Sequence, residues 1–398
     1  MADSLLGSTT PLVPPLYQSS VYTIPDLDAL DRLYNAEESG FIYARDSHPN
    51  AKRLADFISA LEHANWSLIC GSGMAALTAG ILPLVRQGDR IVASNRLYGR
   101  TNQLLKQELN RFGVTTAIID CRELAAVEIA LQTPARVLLV ETMSNPLCRM
   151  LDIEALARIA RAHECRLLVD NTFATPELVK PLDLGADLAM ESLTKMMGGH
   201  GDITLGALCG KDMDLLPPAQ ATASIWGLAS NPFDCWLAER GLCTLAIRMR
   251  TASANAAALA HWLASQPGIS QVVYPGRTDH PEHELANRLL RGRFGNMLCF
   301  ELAGGREAVN RFMRLATGVP FSPSLGSTQT TLSHPWTTSH RYESQAEKKR
   351  QGISEGLIRL SVGIEELPAI HVARKHARRA SGAQAETPRA CVKFTHLA

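Results

Sequence analysis

The chain contains no CxxC pair, and its nine cysteines are an odd number scattered from Cys70 to Cys391. This argues against a zinc site and a disulfide framework, and it favours a reducing compartment. No apolar run is long enough to span a bilayer. The first residues, MADSLLGSTTPLVPP, lack a basic stretch followed by an apolar one, so they do not read as a secretory signal. An excess of charge is missing too: 40 Lys and Arg face 39 Asp and Glu, for a net charge of +1. Nothing in that balance attracts nucleic acid, an anionic membrane or another polyanion. There are no internal repeats and no low-complexity tracts. The expectation is a soluble cytoplasmic protein.

What is present is ordinary globular composition, 46% hydrophobic and 20% charged over 398 residues, enough for two domains and a large core. Residues 1–50 are rich in Pro, Ser and Tyr and show little periodicity. They read as an extended arm that wraps a neighbour. From Lys52 onward, Leu54, Phe57, Ile58 and Leu61 recur at helical spacing. Short apolar runs at 67–70, 90–94, 116–120, 136–141, 166–170 and 187–192 predict strands, and helical patterns fall at 74–86, 101–112, 123–132 and 152–163. Such alternation implies an α/β fold with a mainly parallel sheet covered on both faces, here over residues 51–255. Ligands of such sheets bind beyond the C-terminal strand ends. A long helical stretch runs from Pro232 through Leu263. A strand–helix–strand grammar then places a smaller domain at 256–380, and residues 381–398 have the composition of a poorly ordered tail.

Four segments carry chemistry. In ICGSGMAALTAG a strand runs into Gly71, Ser72 and Gly73 and a helix starts at once. The free N–H groups of that helix start form a phosphate site. The spacing also fits the dinucleotide fingerprint, with Arg96 after the next strand suited to a 2′-phosphate. A plain tight turn is the third possibility. In LLVDNTFATP, Asp170 closes a strand expected to be buried on both faces, where a lone carboxylate is costly to ionise. It would either meet a cationic ring nitrogen or cap the following turn. In ESLTKMMGGHGDITLG, Lys195 sits between a strand and a glycine-rich turn, beside Met196 and Met197. Partial desolvation there lowers an amine pKa and favours imine chemistry, and Ser192 and Thr194 add hydroxyls for a phosphate. The alternative is a surface lysine. His200 and Asp202 alone are too few for a metal site. In LIRLSVGIE, Arg359 lies within an apolar strand and needs either a substrate carboxylate or an internal acid such as Glu365.

The ordered set YAR, GSGMAA, LYGRT, ETMSNP, VDNTFATP, SLTKMMGGHGD, NPFDCWLAERGLCTL, SLGS…HP and LIRLSVGIE resembles the cysteine and methionine metabolism family of pyridoxal-phosphate enzymes, from about Pro11 to about Glu365. That family includes cystathionine γ-synthase and the γ- and β-lyases, methionine γ-lyase and the homoserine-ester sulfhydrylases. The resemblance implies an aspartate-aminotransferase-like fold of type I and a pyridoxal 5′-phosphate cofactor. It makes Lys195 the cofactor-bearing lysine, Asp170 the partner of the ring nitrogen, and Tyr98 the residue that stacks on the ring and helps activate substrate. Gly73, Met74, Thr172, Ser192 and Thr194 then fall at the cofactor. Tyr43 and Arg45 match a pair that reaches the phosphate of a neighbouring subunit, which implies a homodimer at least and commonly a homotetramer. Asn145, Ser324 and Arg359 match groups near the cofactor oxygen and the substrate carboxylate.

The implied activity is γ-elimination or γ-replacement on cystathionine or an O-acylhomoserine, with a β-lyase or a methionine γ-lyase as alternatives. A nicotinamide-dependent dehydrogenase is the rival of another class, but it leaves Lys195, Asp170 and Arg359 without a task. Several positions depart from the family pattern: HPN at 48–50, Met196, Arg100 and Gln329. The last two should lie near the distal end of the substrate, where Arg100 would bind an anionic group.

Overall fold

The computed structural model describes residues 9–367 except Thr317. Seven strands form the larger sheet: β1 (Trp66–Cys70), β2 (Arg90–Ser94), β3 (Thr115–Ile119), β4 (Val137–Glu141), β5 (Arg166–Asp170), β6 (Leu188–Glu191) and β7 (Gly206–Gly210), in the order β1-β7-β6-β5-β4-β2-β3. The pairs from β3 through β6 are parallel, while β7 runs antiparallel to both its neighbours. The central strands β4 and β5 are continuous apolar runs because each face lies under a separate apolar cluster. The second sheet, β8 (Ile269–Val273), β9 (Met297–Leu302), β10 (Thr331–Ser333) and β11 (Leu357–Ser361), is antiparallel in the order β10-β11-β9-β8 and has its own core around Phe300, Phe312 and Ile358.

Local chemistry fixes the helix starts. His48 caps Pro49–Glu62, with Pro at the first helical position, and Nδ1 accepts from the Ala51 N–H at 3.1 Å. Ser72 caps Gly73–Ile81 by accepting from the Ala75 N–H at 3.0 Å. The unusual HPN segment also fastens the arm: the Asn50 side chain accepts from the Tyr17 N–H and donates to the Pro15 carbonyl, each at 2.9 Å.

Four details differ from the sequence expectation. The arm is not wholly extended, since Leu27–Tyr34 is helical and capped by Asp26. The stretch from Pro232 is two helices, Pro232–Leu242 and Leu245–Ala264, broken at Cys243 and Thr244. The helix expected at 101–112 begins at Gly99 and widens to π-helical turns over Leu104–Leu109. Finally, β7 was not anticipated, because GALCG is a buried strand of small residues with no alternation to reveal it. The tail at 381–398 lies outside the described residues. Among the described residues no helix is long and apolar enough to cross a membrane.

Candidate active site

Strands β4, β5 and β6 end side by side at Glu141, Asp170 and Glu191, and a cavity of about 600 Å³ opens beyond them. The helix Gly73–Ile81 begins on one side of it. The loops before β10 and after it bring Pro323, Leu325 and Thr337–Ser339 over the top, and Arg359 comes from β11. The cavity is thus walled by both sheets, at the strand ends where an open parallel sheet places its ligands.

Lys195 lines this cavity, in a tight turn whose amide groups close on Ser192 and Gly199. Its Nζ lies 3.4 Å from Ser324 Oγ. Burial, with the Arg359 charge adding to it, lowers the amine's pKa below the ordinary lysine value. The turn is held from behind by Arg248, which donates to the carbonyls of Met196 at 2.6 Å, Met197 at 3.0 Å and Gly241 at 2.9 Å. Gly326 must be glycine. Its φ is +83°, and a Cβ would sit 2.5 Å from the Met196 nitrogen, beside the lysine turn.

Asp170 faces the same cavity from the end of β5. Its Oδ1 accepts from the Thr172 N–H at 3.0 Å, and Thr172 Oγ1 in turn accepts from the Ser192 N–H at 3.0 Å. The carboxyl therefore closes a turn as well as facing the cavity. Desolvation raises its pKa against the hydrogen bonds from Thr172 that lower it. A neighbouring cation would reverse that balance. Glu141, one strand over and paired in register with Asp170, accepts from the Tyr98 N–H at 2.5 Å. It too is held well above the usual carboxylate range, by burial and then by the Asp170 charge. Tyr98 lines the cavity directly before the close approach of Gly99 to Ser339, where a Cβ would meet the Ser339 oxygen at 2.6 Å.

Arg359 is buried, and Nη1 donates to Asn145 Oδ1 at 2.9 Å while Nη2 donates to the Ser324 carbonyl at 3.0 Å. Its Nε is buried without a partner. Glu365 is spent elsewhere, accepting from the Thr330 amide and hydroxyl, so the internal-acid alternative does not hold.

These residues fit pyridoxal phosphate. The helix beginning at Gly73 presents free amides to the cavity beside Ser192 and Thr194, a donor set for a phosphate dianion. Gly73 leaves the space: a Cβ there would lie 2.8 Å from the Ser192 Cβ. Thr194 Oγ1 also exchanges hydrogen bonds with Leu205 across the turn.

Most of the chain is matched accordingly. Residues 3–372 fit the family described as Cys/Met metabolism PLP-dependent enzymes. The chain belongs to that family. It is 37% identical over 372 residues to L-methionine gamma-lyase of Pseudomonas putida, covering 93% of each chain. It is 38% identical over 352 residues to O-succinylhomoserine sulfhydrylase of Pseudomonas aeruginosa, covering 88% of this chain and 87% of that relative. The structure of cystathionine gamma synthase from Xanthomonas oryzae pv. oryzae, in complex with aminoacrylate and cysteine, superposes with a TM-score of 0.89 at 32% identity and 94% coverage of both chains. The chain is therefore a PLP-dependent enzyme of fold type I.

The site gathers Gly73, Met74, Tyr98, Arg100, Asn145, Asp170, Thr172, Ser192, Thr194, Lys195 and Arg359 into one lining, with Ser324 against Lys195. Tyr43 and Arg45 stack on each other, 5.2 Å from guanidinium to ring centre, and stay outside this chain's own cavity. Gln329, expected at the distal end, is exposed and outside the lining. The dehydrogenase reading is not supported: Arg96 donates to the Gln351 carbonyl at 3.0 Å and does not line the cavity. Sequence reasoning missed Glu141, Glu191 and Arg248. The signal for the two acids was present, since both close buried strands just as Asp170 does.

Proposed function

We propose that this chain catalyses γ-elimination or γ-replacement on cystathionine or an O-acylhomoserine in cytoplasmic sulfur amino-acid metabolism, working as a homodimer at least. One observation carries the reading: Lys195 and Arg359 converge on Ser324, the first through its hydroxyl at 3.4 Å and the second through its carbonyl at 3.0 Å. An amino acid whose carboxylate fills the free Nε side of Arg359 would hold its α-carbon within reach of the Lys195 amine. Bound pyridoxal phosphate supplies the electron sink for charge developing at that carbon. Asp170 would keep a proton on the ring nitrogen, Tyr98 would cover the ring, and the Gly73 amides with Ser192 would hold the phosphate.

Lys195 has the character of a mobile base. Its depressed pKa leaves more of it neutral at physiological pH, and its single side-chain contact is a long one. Such a base can take a proton from Cα and return it elsewhere, which loss of a γ-substituent requires. Arg100 and Arg341 both line the cavity, and among the described residues neither has a carboxylate within ion-pair distance. Arg100 stacks on Tyr342 and donates to Gln103 at 2.7 Å. This pair would receive an anionic distal group.

The dimer reading rests on the arm. Leu12, Val13, Val21 and Leu27 are exposed, and Tyr43 and Arg45 are positioned away from their own cavity. The eight described cysteines are free thiols, in keeping with a reducing compartment. Product analysis tests the chemistry. γ-Elimination from cystathionine yields 2-oxobutanoate and ammonia, whereas pyruvate as sole keto acid would assign a β-lyase instead. Release of methanethiol from methionine, with no turnover of the other substrates, would assign a methionine γ-lyase.

A further inference from the structure

Behind Asp170, away from the cavity, lies a buried acid pair that none of the proposed steps uses. Glu62 is the last residue of the helix Pro49–Glu62 and Glu191 the last of β6, and both have no exposed surface. Asn171, equally buried, links them to the strand end that carries the Asp170 carboxyl. Its Oδ1 accepts from Thr142 Oγ1 at 2.7 Å, which fixes the orientation of the amide. Its Nδ2 then donates to the Val179 carbonyl at 2.9 Å and to Glu191 Oε1 at 2.8 Å. Asn171 follows Asp170 directly, and its backbone N–H bonds to the Met190 carbonyl at 2.9 Å, so this side chain anchors the strand end that carries Asp170.

The remaining oxygens do not balance without a proton. Glu191 Oε2 and both Glu62 oxygens are buried and make no hydrogen bond of good geometry to a donor, although the Asn171 amide lies near enough to Glu62 to favour its ionised form. The two carboxyl groups face each other closely enough to hydrogen-bond. With both ionised, three acceptor oxygens and two like charges would stand in a dry core, an expensive arrangement. One proton turns the contact into a hydrogen bond. The helix terminus acts in the same direction, because its exposed carbonyls disfavour an anion at Glu62. The surrounding charges divide. Lys180 favours ionised Glu62 but spends its hydrogen bond on the Pro176 carbonyl at 2.8 Å. Asp183, held by His63 and Lys211, opposes ionisation of Glu62, and Asp170 opposes that of Glu191. The Cys209 thiol on β7 feels the charge of both acids and is held protonated chiefly by its burial.

We propose that Glu62 and Glu191 form a carboxyl dyad that keeps a shared proton at neutral pH, fixes Asp170 through Asn171, and so sets how strongly Asp170 holds the cofactor's ring nitrogen. These are positioning residues, acting through Asp170 and never touching substrate. The proposal rests on Asp170 facing that nitrogen. Burial pushes the Glu62 carboxyl up to about 7, and Glu191 is raised well above its ordinary value. The dyad therefore gains negative charge as pH rises through neutrality while still retaining one proton. Added negative charge near Asp170 favours a cation on the ring nitrogen, so cofactor affinity should rise across that step.

Two measurements test this. First, infrared difference spectra of the cofactor-free protein, acidified from about pH 8 to about pH 6, should show a carbonyl stretch of a protonated buried carboxyl that is lost in Glu62→Gln. Second, the ratio of pyridoxal phosphate dissociation constants, Glu62→Gln over wild type, should rise about three- to tenfold between about pH 6 and about pH 8. Groups that titrate in both proteins cancel in that ratio. Gln at position 62 donates a permanent N–H where the proton sat, so the fold should hold. Glu191→Gln is the second variant and should also abolish the pH step. A carboxyl band unchanged in both variants overturns the dyad. A band that behaves as expected with a ratio independent of pH overturns its link to Asp170. Asp170→Asn binding pyridoxal phosphate as tightly as wild type at every pH would instead count against the cofactor role of Asp170.

Discussion

Arg359 donates from Nη1 to Asn145 Oδ1 at 2.9 Å, so a residue of the second sheet is fixed by the loop leaving β4 of the first. That bond sets the guanidinium plane and leaves the buried Nε side free for a ligand. Arg359→Ala should lower kcat/KM by about a hundredfold, mainly through KM, as loss of a charge-assisted carboxylate contact of about 3 kcal/mol requires. Arg359→Lys should recover part of this, because lysine keeps the charge and loses the planar fork. Steady-state kinetics of both variants decide the point; an unchanged KM in Arg359→Ala would place the substrate carboxylate elsewhere.

Asp170→Asn keeps the Thr172 contact and removes the negative charge. The variant should still fold, bind pyridoxal phosphate more weakly and turn over at least about a hundredfold more slowly, since the ring nitrogen loses its counter-charge. Absorbance titration with the cofactor and single-turnover rates measure the two effects separately.

Arg248→Ala should destabilise the chain by about 2–4 kcal/mol. It strands three buried carbonyls, those of Met196, Met197 and Gly241, that the guanidinium now satisfies. Because two of these belong to the lysine turn, cofactor retention should fall along with the melting temperature. Calorimetry with and without pyridoxal phosphate reads both.

The pH dependence of stability follows from Glu62. Its folded pKa of about 7 lies above the ordinary value of 4.5, so between these two the native state binds more protons than the unfolded one. Stability from this group is complete below about pH 4.5 and is lost as pH rises through about 7, an effect on the order of 3 kcal/mol. Glu62→Gln should flatten that slope and leave the protein more stable than wild type above neutral pH. Urea titrations at several pH values, in the absence of cofactor, provide the comparison.

A mixing experiment tests the arm. Arg45→Ala and Lys195→Ala should each be inactive or nearly so as homo-oligomers. Hybrids should regain activity, because one cavity then combines an intact lysine with an intact partner arm. No recovery on mixing, with exchange confirmed by mass, would mean that each chain completes its own site.

The sequence disclosed the chemistry better than the topology. Lys195, Asp170 and Arg359 are legible because each sits at a place where its charge is expensive, and the structure brings all three to one cavity. The same argument applied to Glu141 and Glu191 would have revealed two more buried acids, yet no opposite charge on the page of residues pointed to their partners. Long-range pairing was the obstacle: Glu62 meets Glu191 only after α/β winding. The antiparallel β7 was hidden because small residues buried on both faces carry no periodic signal. The break at Cys243–Thr244 was hidden for another reason. Neither residue is a helix breaker; at the break Thr244 Oγ1 accepts from Arg248 Nε at 3.1 Å, a partner that lies in the following helix and that no local pattern discloses.

The most direct test is chemical. Purified protein incubated with pyridoxal phosphate, reduced with borohydride and digested should yield a pyridoxyl group on a single peptide, with fragmentation placing it on Lys195. The Lys195→Ala protein should take up no label. Label distributed over surface lysines, or retained in that variant, would contradict the account.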